Sequence, residues 1–128
     1  MEKVHLENNE FERFSAQTFR LLHEDSELTD VTLVCEDKRL IPAHKTILGI
    51  SSKTIRDILL SCQSPRHILN LNVAHEDMVE ILSFIYTGSC FVKNQNIGRF
   101  LQAATDLQVA ASLLHFLRRS QKKNQTMK

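Results

Sequence analysis

The chain has 128 residues, of which 42% are apolar, and this is enough for the core of one domain but not of two. Its sixteen basic and fifteen acidic residues leave a net charge of +1, which gives no overall attraction to nucleic acid. The three cysteines are odd in number and form no CxxC pair, which excludes a zinc knuckle, disfavours a disulfide framework and indicates a reducing compartment.

The charges are unevenly distributed along the chain. Residues 118–128 contain five basic residues and no acidic one, so the preceding residues carry eleven basic against fifteen acidic side chains. We predict one domain over residues 1–117 and a solvated basic tail or linker over residues 118–128, which we favour over a nuclear-targeting signal. No apolar run approaches eighteen residues and no signal peptide follows Met1, so the sequence predicts a soluble intracellular protein without membrane contact.

The N-terminal residues predict a strand followed by a helix. Residues 4–7 alternate between apolar and polar side chains, and residues 10–23 have a helical period. The apolar stripe of this helix contains Phe11, Phe14, Thr18, Leu21 and Leu22. Phe19 lies about 60° beyond the edge of the stripe, given about 100° of rotation per residue. This extra aromatic residue indicates either a second packed surface, such as another subunit, or further packing within the same chain, and both are consistent with the pattern.

A β-hairpin pattern leads directly into a short helix. Residues 31–35 indicate a mostly buried strand, residues 36–38 form a polar turn, and residues 39–41 form a short returning strand. Pro42 is expected to end the returning strand and to begin the first helical turn, because a missing N–H has no cost there. The helix itself is expected to open with residues 43–45, which read Ala-His-Lys.

The rest of the chain predicts two more strands and four more helices. Helices are expected at residues 54–60, 76–86, 94–107 and 109–117, and strands at residues 67–71 and 90–92. The helix at residues 76–86 is apolar on nearly every side and is ended by Gly88, so we expect it at the centre of the core. The strand at residues 90–92 has no obvious partner in the sequence. Together these elements predict an α+β fold, in which a helical cluster is flanked by a short sheet.

Several motifs resemble those of BTB/POZ domains, from about residue 4 to residue 117. The most specific of them are Asp30-Val31, Ala43-His44-Lys45, Tyr86-Thr87-Gly88 and the closing run LQAATDLQV at residues 101–109. Val4, Leu6 and Asn9 are also similar to the strand-plus-Asn motif of the tramtrack group of insect transcription-factor BTB domains. The match has two departures, since Asn8 stands where that group has Trp and Glu10 where it has a second Asn.

The resemblance implies a strand-exchanged homodimer, in which the first strand of one chain pairs with a late strand of its partner. The implied dimer interface contains Val4, Leu6, Phe11, Phe14, Thr18, Phe19, Leu22, Cys90, Phe91 and Val92. The resemblance also implies a charged pocket formed by Asp30 and Lys45. A structural ion pair is favoured over a partner-binding role, because breaking a buried pair costs about 3–5 kcal/mol whatever else the pair does.

The sequence contains no motif of a catalytic, cofactor or metal site. His44 has no second ligand at metal-binding spacing and is expected to be a buried histidine that bonds to the backbone. Ser51-Ser52 lacks the glycine-flanked elbow of a hydrolase and is expected to cap a helix. The three glycines form no phosphate-binding loop. We therefore predict no catalysis, cofactor, metal or small-molecule substrate.

The expected function is that of a protein–protein interaction module in a nuclear transcriptional regulator or chromatin protein, with a cytoplasmic pool also allowed. Its partners would be a second copy of the chain and corepressor or chromatin-architectural proteins, without direct binding of nucleic acid. The alternative is a substrate adaptor of a cullin-based ubiquitin ligase. Such adaptors carry a hydrophobic-x-Glu motif, whereas residues 59–63 read Leu-Leu-Ser-Cys-Gln and contain no Glu.

Overall fold

The computed structural model describes residues 2–109, which form a three-stranded sheet and five α-helices. The elements in chain order are α1 (Phe11–Glu24), β1 (Val31–Val34), β2 (Leu40–Ala43), α2 (Lys45–Ser51), α3 (Lys53–Ser61), β3 (His67–Asn70), α4 (His75–Thr87), a 3-10 turn (Asn94–Asn96) and α5 (Ile97–Asp106). Apart from Val109, the helix predicted at residues 109–117 lies outside the described residues, and so does the predicted tail at residues 118–128.

The sheet has the strand order β2-β1-β3, with β1 antiparallel to β2 and parallel to β3. Because side chains alternate between the two faces of a strand, Val31 and Leu33 point into the core, where they are buried. Thr32 and Val34 point to the opposite face and are half-buried. The strands predicted at residues 31–35 and 67–71 are thus confirmed to within one residue.

Pro42 does not end the returning strand, as the sequence suggested, but lies within β2 opposite Thr32. A proline without an N–H is tolerated there because β2 is an edge strand. α2 begins three residues later, at Lys45, after His44 has taken the extended conformation of an N-cap residue (φ −112°, ψ 119°).

The core is formed where α4 and α5 pack under the sheet. Met78 and Ile81 of α4 and Phe100 and Ala104 of α5 are almost completely buried. Val79 of α4 is 40% exposed, so this helix is buried along one side rather than on nearly every side. Gly88 ends α4 as predicted, in the left-handed conformation (φ 79°) that favours glycine.

The strands predicted at residues 4–7 and 90–92 are not formed in the described chain. A strand needs hydrogen bonds from a neighbouring strand, and the single chain offers no neighbour to either segment. The fold therefore leaves these two segments of backbone unpaired, while the helices predicted at residues 10–23, 54–60 and 94–107 are confirmed.

Candidate interaction surfaces

Helix α1 has no buried residue, although its fourteen residues include three phenylalanines and two leucines. It packs on α4 along one side, where Ser15 and Leu22 are half-buried and Leu22 contacts the core. On its outer side Phe11, Phe14 and Leu21 are 64%, 63% and 65% exposed. A group of large exposed apolar side chains on a small domain indicates an interaction surface.

The structure divides the apolar stripe of α1 between the core and solvent. Leu22 of the stripe packs against the core, Phe14 faces solvent, and Phe19, the apparent surplus residue, is 45% exposed. Leu21 is an additional interface candidate that the sequence did not single out. The signal was present, because Leu21 follows Phe14 by seven residues and therefore lies on the same side of the helix.

The residues before α1 form an irregular and exposed segment that carries Val4 and Leu6 into solvent. Asn8 starts the turn into the helix, since its Oδ1 accepts a hydrogen bond from the N–H of Glu10 at 2.9 Å. Its carbonyl accepts another from the N–H of Phe11 at 3.1 Å. Within the described chain, the backbone of residues 3–7 forms no hydrogen bond to another element.

The segment at residues 89–93, which connects α4 to the 3-10 turn, is the second unpaired piece of backbone. Within the part of the chain described, no N–H group of residues 90–93 donates a backbone hydrogen bond. Phe91 is 84% exposed, while Cys90 and Val92 are half-buried. An open groove of about 1260 Å³ separates the segment from α4, and its apolar lining includes Val79, Phe84, Val92, Ile97 and Phe100. Backbone groups without hydrogen-bond partners beside an apolar groove are what a docking strand requires.

Asp30 and Lys45 are in contact, but through the backbone of Lys45 rather than through its ammonium group. The N–H of Lys45 donates to Oδ1 of Asp30 at 2.8 Å, so the carboxylate holds the first turn of α2. The ammonium group donates instead to the carbonyl oxygens of Ser64 and Pro65, at 2.5 and 3.0 Å, and fixes the loop between α3 and β3. Two structural contacts thus replace the ion pair that the sequence suggested.

His44 is buried and bonds to a tyrosine side chain, not to the backbone as expected. The backbone N–H of His44 donates to the hydroxyl of Tyr86 at 3.0 Å. The ring nitrogen Nδ1 of His44 lies 2.7 Å from the same oxygen. These contacts join the start of α2 to the end of α4. Burial raises the pKa of the Tyr86 hydroxyl, the N–H of His44 lowers it in part, and the charge of Asp30 raises it further.

A bidentate ion pair joins α4 to α5, and no pattern in the sequence predicts it. Arg99 donates from Nε to Oδ2 of Asp77 at 2.6 Å and from Nη2 to Oδ1 at 3.2 Å. Asp77 is 2% exposed, and its hydrogen bond to Arg99 raises the pKa of the guanidinium. The two residues are 22 positions apart, so no local spacing connects them.

The described residues contain no group of three or more His, Cys, Asp or Glu side chains that is placed to hold a metal ion. Nor does any helix among them have the length and apolar character needed to cross a membrane. Ser52 caps α3 as predicted, since its Oγ accepts from the N–H of Ile55 at 3.1 Å. The same hydroxyl donates to the carbonyl of Leu107 at 2.5 Å.

The sequence profile of the BTB/POZ domain matches residues 19–124, well over half of the chain. Protein abrupt of Drosophila melanogaster is 35% identical over 103 residues, which are 79% of this chain and 11% of abrupt. The alpha isoform of Protein tramtrack from the same species is 33% identical over 91 residues, or 70% of this chain and 11% of tramtrack. Kelch-like protein 22 of Mus musculus is 33% identical over 98 residues, which are 74% of this chain and 15% of that protein. This chain therefore spans only a small fraction of these relatives.

Two solved structures share the α+β fold of this chain, as its sequence predicted. The BTB domain of zebrafish PATZ1 superposes with a TM-score of 0.77 at 17% identity, covering 94% of this chain and 99% of that domain. The BTB domain of human gigaxonin superposes with a TM-score of 0.69 at 26% identity, covering 84% of this chain and 89% of that domain.

Proposed function

Because this chain belongs to the BTB/POZ domain family, whose members are non-catalytic interaction modules, we propose that it is the self-associating module of a nuclear transcriptional regulator or chromatin protein. Its proposed partners are a second copy of the chain and corepressor or chromatin-architectural proteins. The observation that carries the proposal is the exposed apolar face of α1, which consists of Phe11, Phe14 and Leu21.

This face supports self-association on energetic grounds. Transfer of a large apolar side chain from water to a protein interior is favourable by about 1.5–3 kcal/mol. Phe11, Phe14 and Leu21 leave most of this free energy unused in the single chain. In a two-fold dimer the same patch of both chains is buried at once, so each of these residues contributes twice.

The two unpaired backbone segments support strand exchange in the proposed dimer. Residues 4–7 supply an alternating apolar pattern, with Val4 and Leu6 exposed. Residues 90–92 supply backbone without hydrogen-bond partners and include the exposed Phe91. Pairing residues 4–7 of one chain with residues 90–92 of the other would satisfy both backbones. The contacts of Asp30 and Lys45 support a structural role for this pair within the same proposal.

The proposed mechanism is proximity. Dimerisation places two attached domains within reach of each other, which raises their effective concentration without any new contact to their target. Fusion of this chain to a monomeric DNA-binding domain tests this mechanism. The fusion is expected to occupy paired DNA sites more tightly than single sites, whereas equal affinity for the two would contradict the proposal. A Phe14→Glu fusion serves as the matched control and is expected to lose the preference.

The second candidate function is that of a substrate adaptor for a cullin-based ubiquitin ligase. It is favoured by the 33% identity to Kelch-like protein 22. Against it, residues 59–63 at the end of α3 contain no Glu, although Leu60 is 62% exposed and available for contact. Calorimetric titration with the N-terminal domain of a cullin separates the two functions. We expect no binding, and micromolar or tighter affinity would favour the adaptor.

A further inference from the structure

The 89–93 segment is fixed at its two ends and, between them, forms one wall of the groove beside α4. At the first end, Oγ of Ser83 donates to the carbonyl of Ser89 at 2.8 Å, so the chain is held where α4 stops. At the other end, the segment continues into the 3-10 turn and α5, which carries Arg99. The middle of the segment has no backbone hydrogen bond to the rest of the described chain. The side chains of Cys90 and Val92 pack against the core, so the position of the segment depends on these contacts and on how its two ends are held.

The contacts at the far end differ in strength. Arg99 binds the buried carboxylate of Asp77 through two hydrogen bonds of 2.6 and 3.2 Å. Glu76 contacts Lys93 and Arg99 at 3.4 and 3.6 Å, with half or more of each side chain exposed, and exposed pairs at such distances contribute little. The bidentate pair of Asp77 and Arg99 is the main attachment, because charge-assisted bonds with matched geometry are roughly twice as strong as neutral ones.

Arg99 lies on the outer side of α5, away from the residues that α5 contributes to the core. Its side chain is 51% exposed, whereas Phe100, Ala103 and Ala104 of the same helix are buried. These apolar contacts already attach α5 to the core. The ion pair of Asp77 and Arg99 additionally fixes the distance between the start of α4 and the end of the 89–93 segment.

From this geometry we infer that Arg99 and Asp77 are positioning residues for self-association, which hold the 89–93 segment in the unpaired arrangement that accepts the strand of a second chain. The inference rests on the self-association proposed above and deepens it. Each chain would then have a donor part, residues 4–7, and an acceptor part, residues 89–93, whose competence depends on Arg99.

Arg99→Lys tests the inference because it keeps the charge but loses the bidentate fork. Removing one charge-assisted hydrogen bond at each acceptor is expected to raise the dissociation constant of the dimer about tenfold or more. Sedimentation equilibrium of the full chain measures this constant. Lys53→Gln is the matched control, since it removes an exposed pair with Asp57 (2.9 Å) on α3, far along the chain from the acceptor, and is expected to leave the constant unchanged.

A mixing experiment separates positioning of the acceptor from a general loss of stability. A chain that lacks residues 1–9 has no donor but a normal acceptor, and Arg99→Lys has a normal donor but an impaired acceptor. A mixed dimer of the two retains one intact exchange, so it is expected to form in excess of the statistical half of all dimers. Native mass spectrometry of the mixture gives this fraction. Statistical mixing, or an Arg99→Lys dimer as tight as the unmodified one, would overturn the inference.

A second variant covers the case in which Arg99→Lys does not fold. Asp77→Asn keeps the shape of the partner side chain and one oxygen acceptor but removes its charge, so it weakens the same ion pair and is expected to shift the mixing in the same direction. Statistical mixing of Asp77→Asn would then overturn the inference. An unmodified chain that stays monomeric would instead refute the proposed self-association itself, so the two failures are distinguishable.

Discussion

At the scale of single residues, Asp30, Lys45 and Tyr86 make their hydrogen bonds across the junctions between elements. Asp30 holds the start of α2, Lys45 holds the loop between α3 and β3, and Tyr86 joins α4 to His44. The sequence located these positions through the motifs around them. It did not identify their partners, because a motif shows which residues are present and not which atoms of them meet.

Asp30→Ala is expected to lower the free energy of unfolding by about 1 kcal/mol, because the N–H of Lys45 loses its acceptor. Asp30→Asn is expected to lower it by less, since the amide oxygen can accept the same hydrogen bond. Urea denaturation of both variants at one protein concentration measures the difference. Equal losses would show that the charge of Asp30, rather than the bond that it accepts, is what matters.

The raised pKa of Tyr86 predicts a loss of stability at alkaline pH. Above the ordinary value of 10.0, the unfolded chain releases the phenolic proton while the folded chain still holds it, so the free energy of unfolding falls as pH rises. Burial also raises the pKa of the Cys35 and Cys90 thiols above 9.0. This adds a similar decrease in the free energy of unfolding, which begins at lower pH.

Tyr86→Phe is therefore expected to remove the decrease in the free energy of unfolding that begins near pH 10. The decrease due to the thiols of Cys35 and Cys90 is expected to remain. At neutral pH the variant is expected to be less stable by about 1–3 kcal/mol, because the buried N–H of His44 loses its acceptor. Thermal unfolding between pH 8 and 11 checks both effects. An unchanged slope above pH 10 in the variant would contradict the role assigned to Tyr86.

At the scale of the elements, periodicity predicts α1, α3 and α5, because each has an apolar side that repeats with the turn of the helix, whereas α4 is predicted from its apolar character on nearly every side. Periodicity did not predict whether the apolar side of α1 packs within the chain or against another subunit. In the single chain, Phe14 faces solvent. The segments at residues 4–7 and 90–92 have the pattern of strands without a partner to pair with. The single chain therefore shows them as irregular backbone.

Phe14→Glu is expected to give a folded monomer. The added charge cannot be buried against a second α1 without a large desolvation cost, and the core is unaffected because no residue of α1 is buried. Gln17→Glu, which adds the same charge at an exposed position of the same helix, is the control and is expected to self-associate normally. Sedimentation velocity and far-ultraviolet circular dichroism measure mass and folding. A Phe14→Glu chain that still self-associates would exclude the outer face of α1 from the interface.

At the scale of the whole molecule, the distribution of charge favours protein partners over nucleic acid. Five basic residues lie at residues 118–128, and the residues before them carry more acidic than basic side chains. We expect no sequence-selective DNA binding, and only non-specific association with a dissociation constant of about 10⁻⁴ M or weaker at physiological salt. A fluorescence-anisotropy titration tests this. Selective sub-micromolar binding that survives removal of residues 118–128 would contradict it.

The exposed apolar face of α1 and the two unpaired backbone segments are proposed to form one interface between two copies of this chain. Multi-angle light scattering at micromolar concentration tests this interface directly. We expect a mass at least twice that of the 14.7 kDa chain, and a stable monomer over the whole concentration range would contradict the proposed interface.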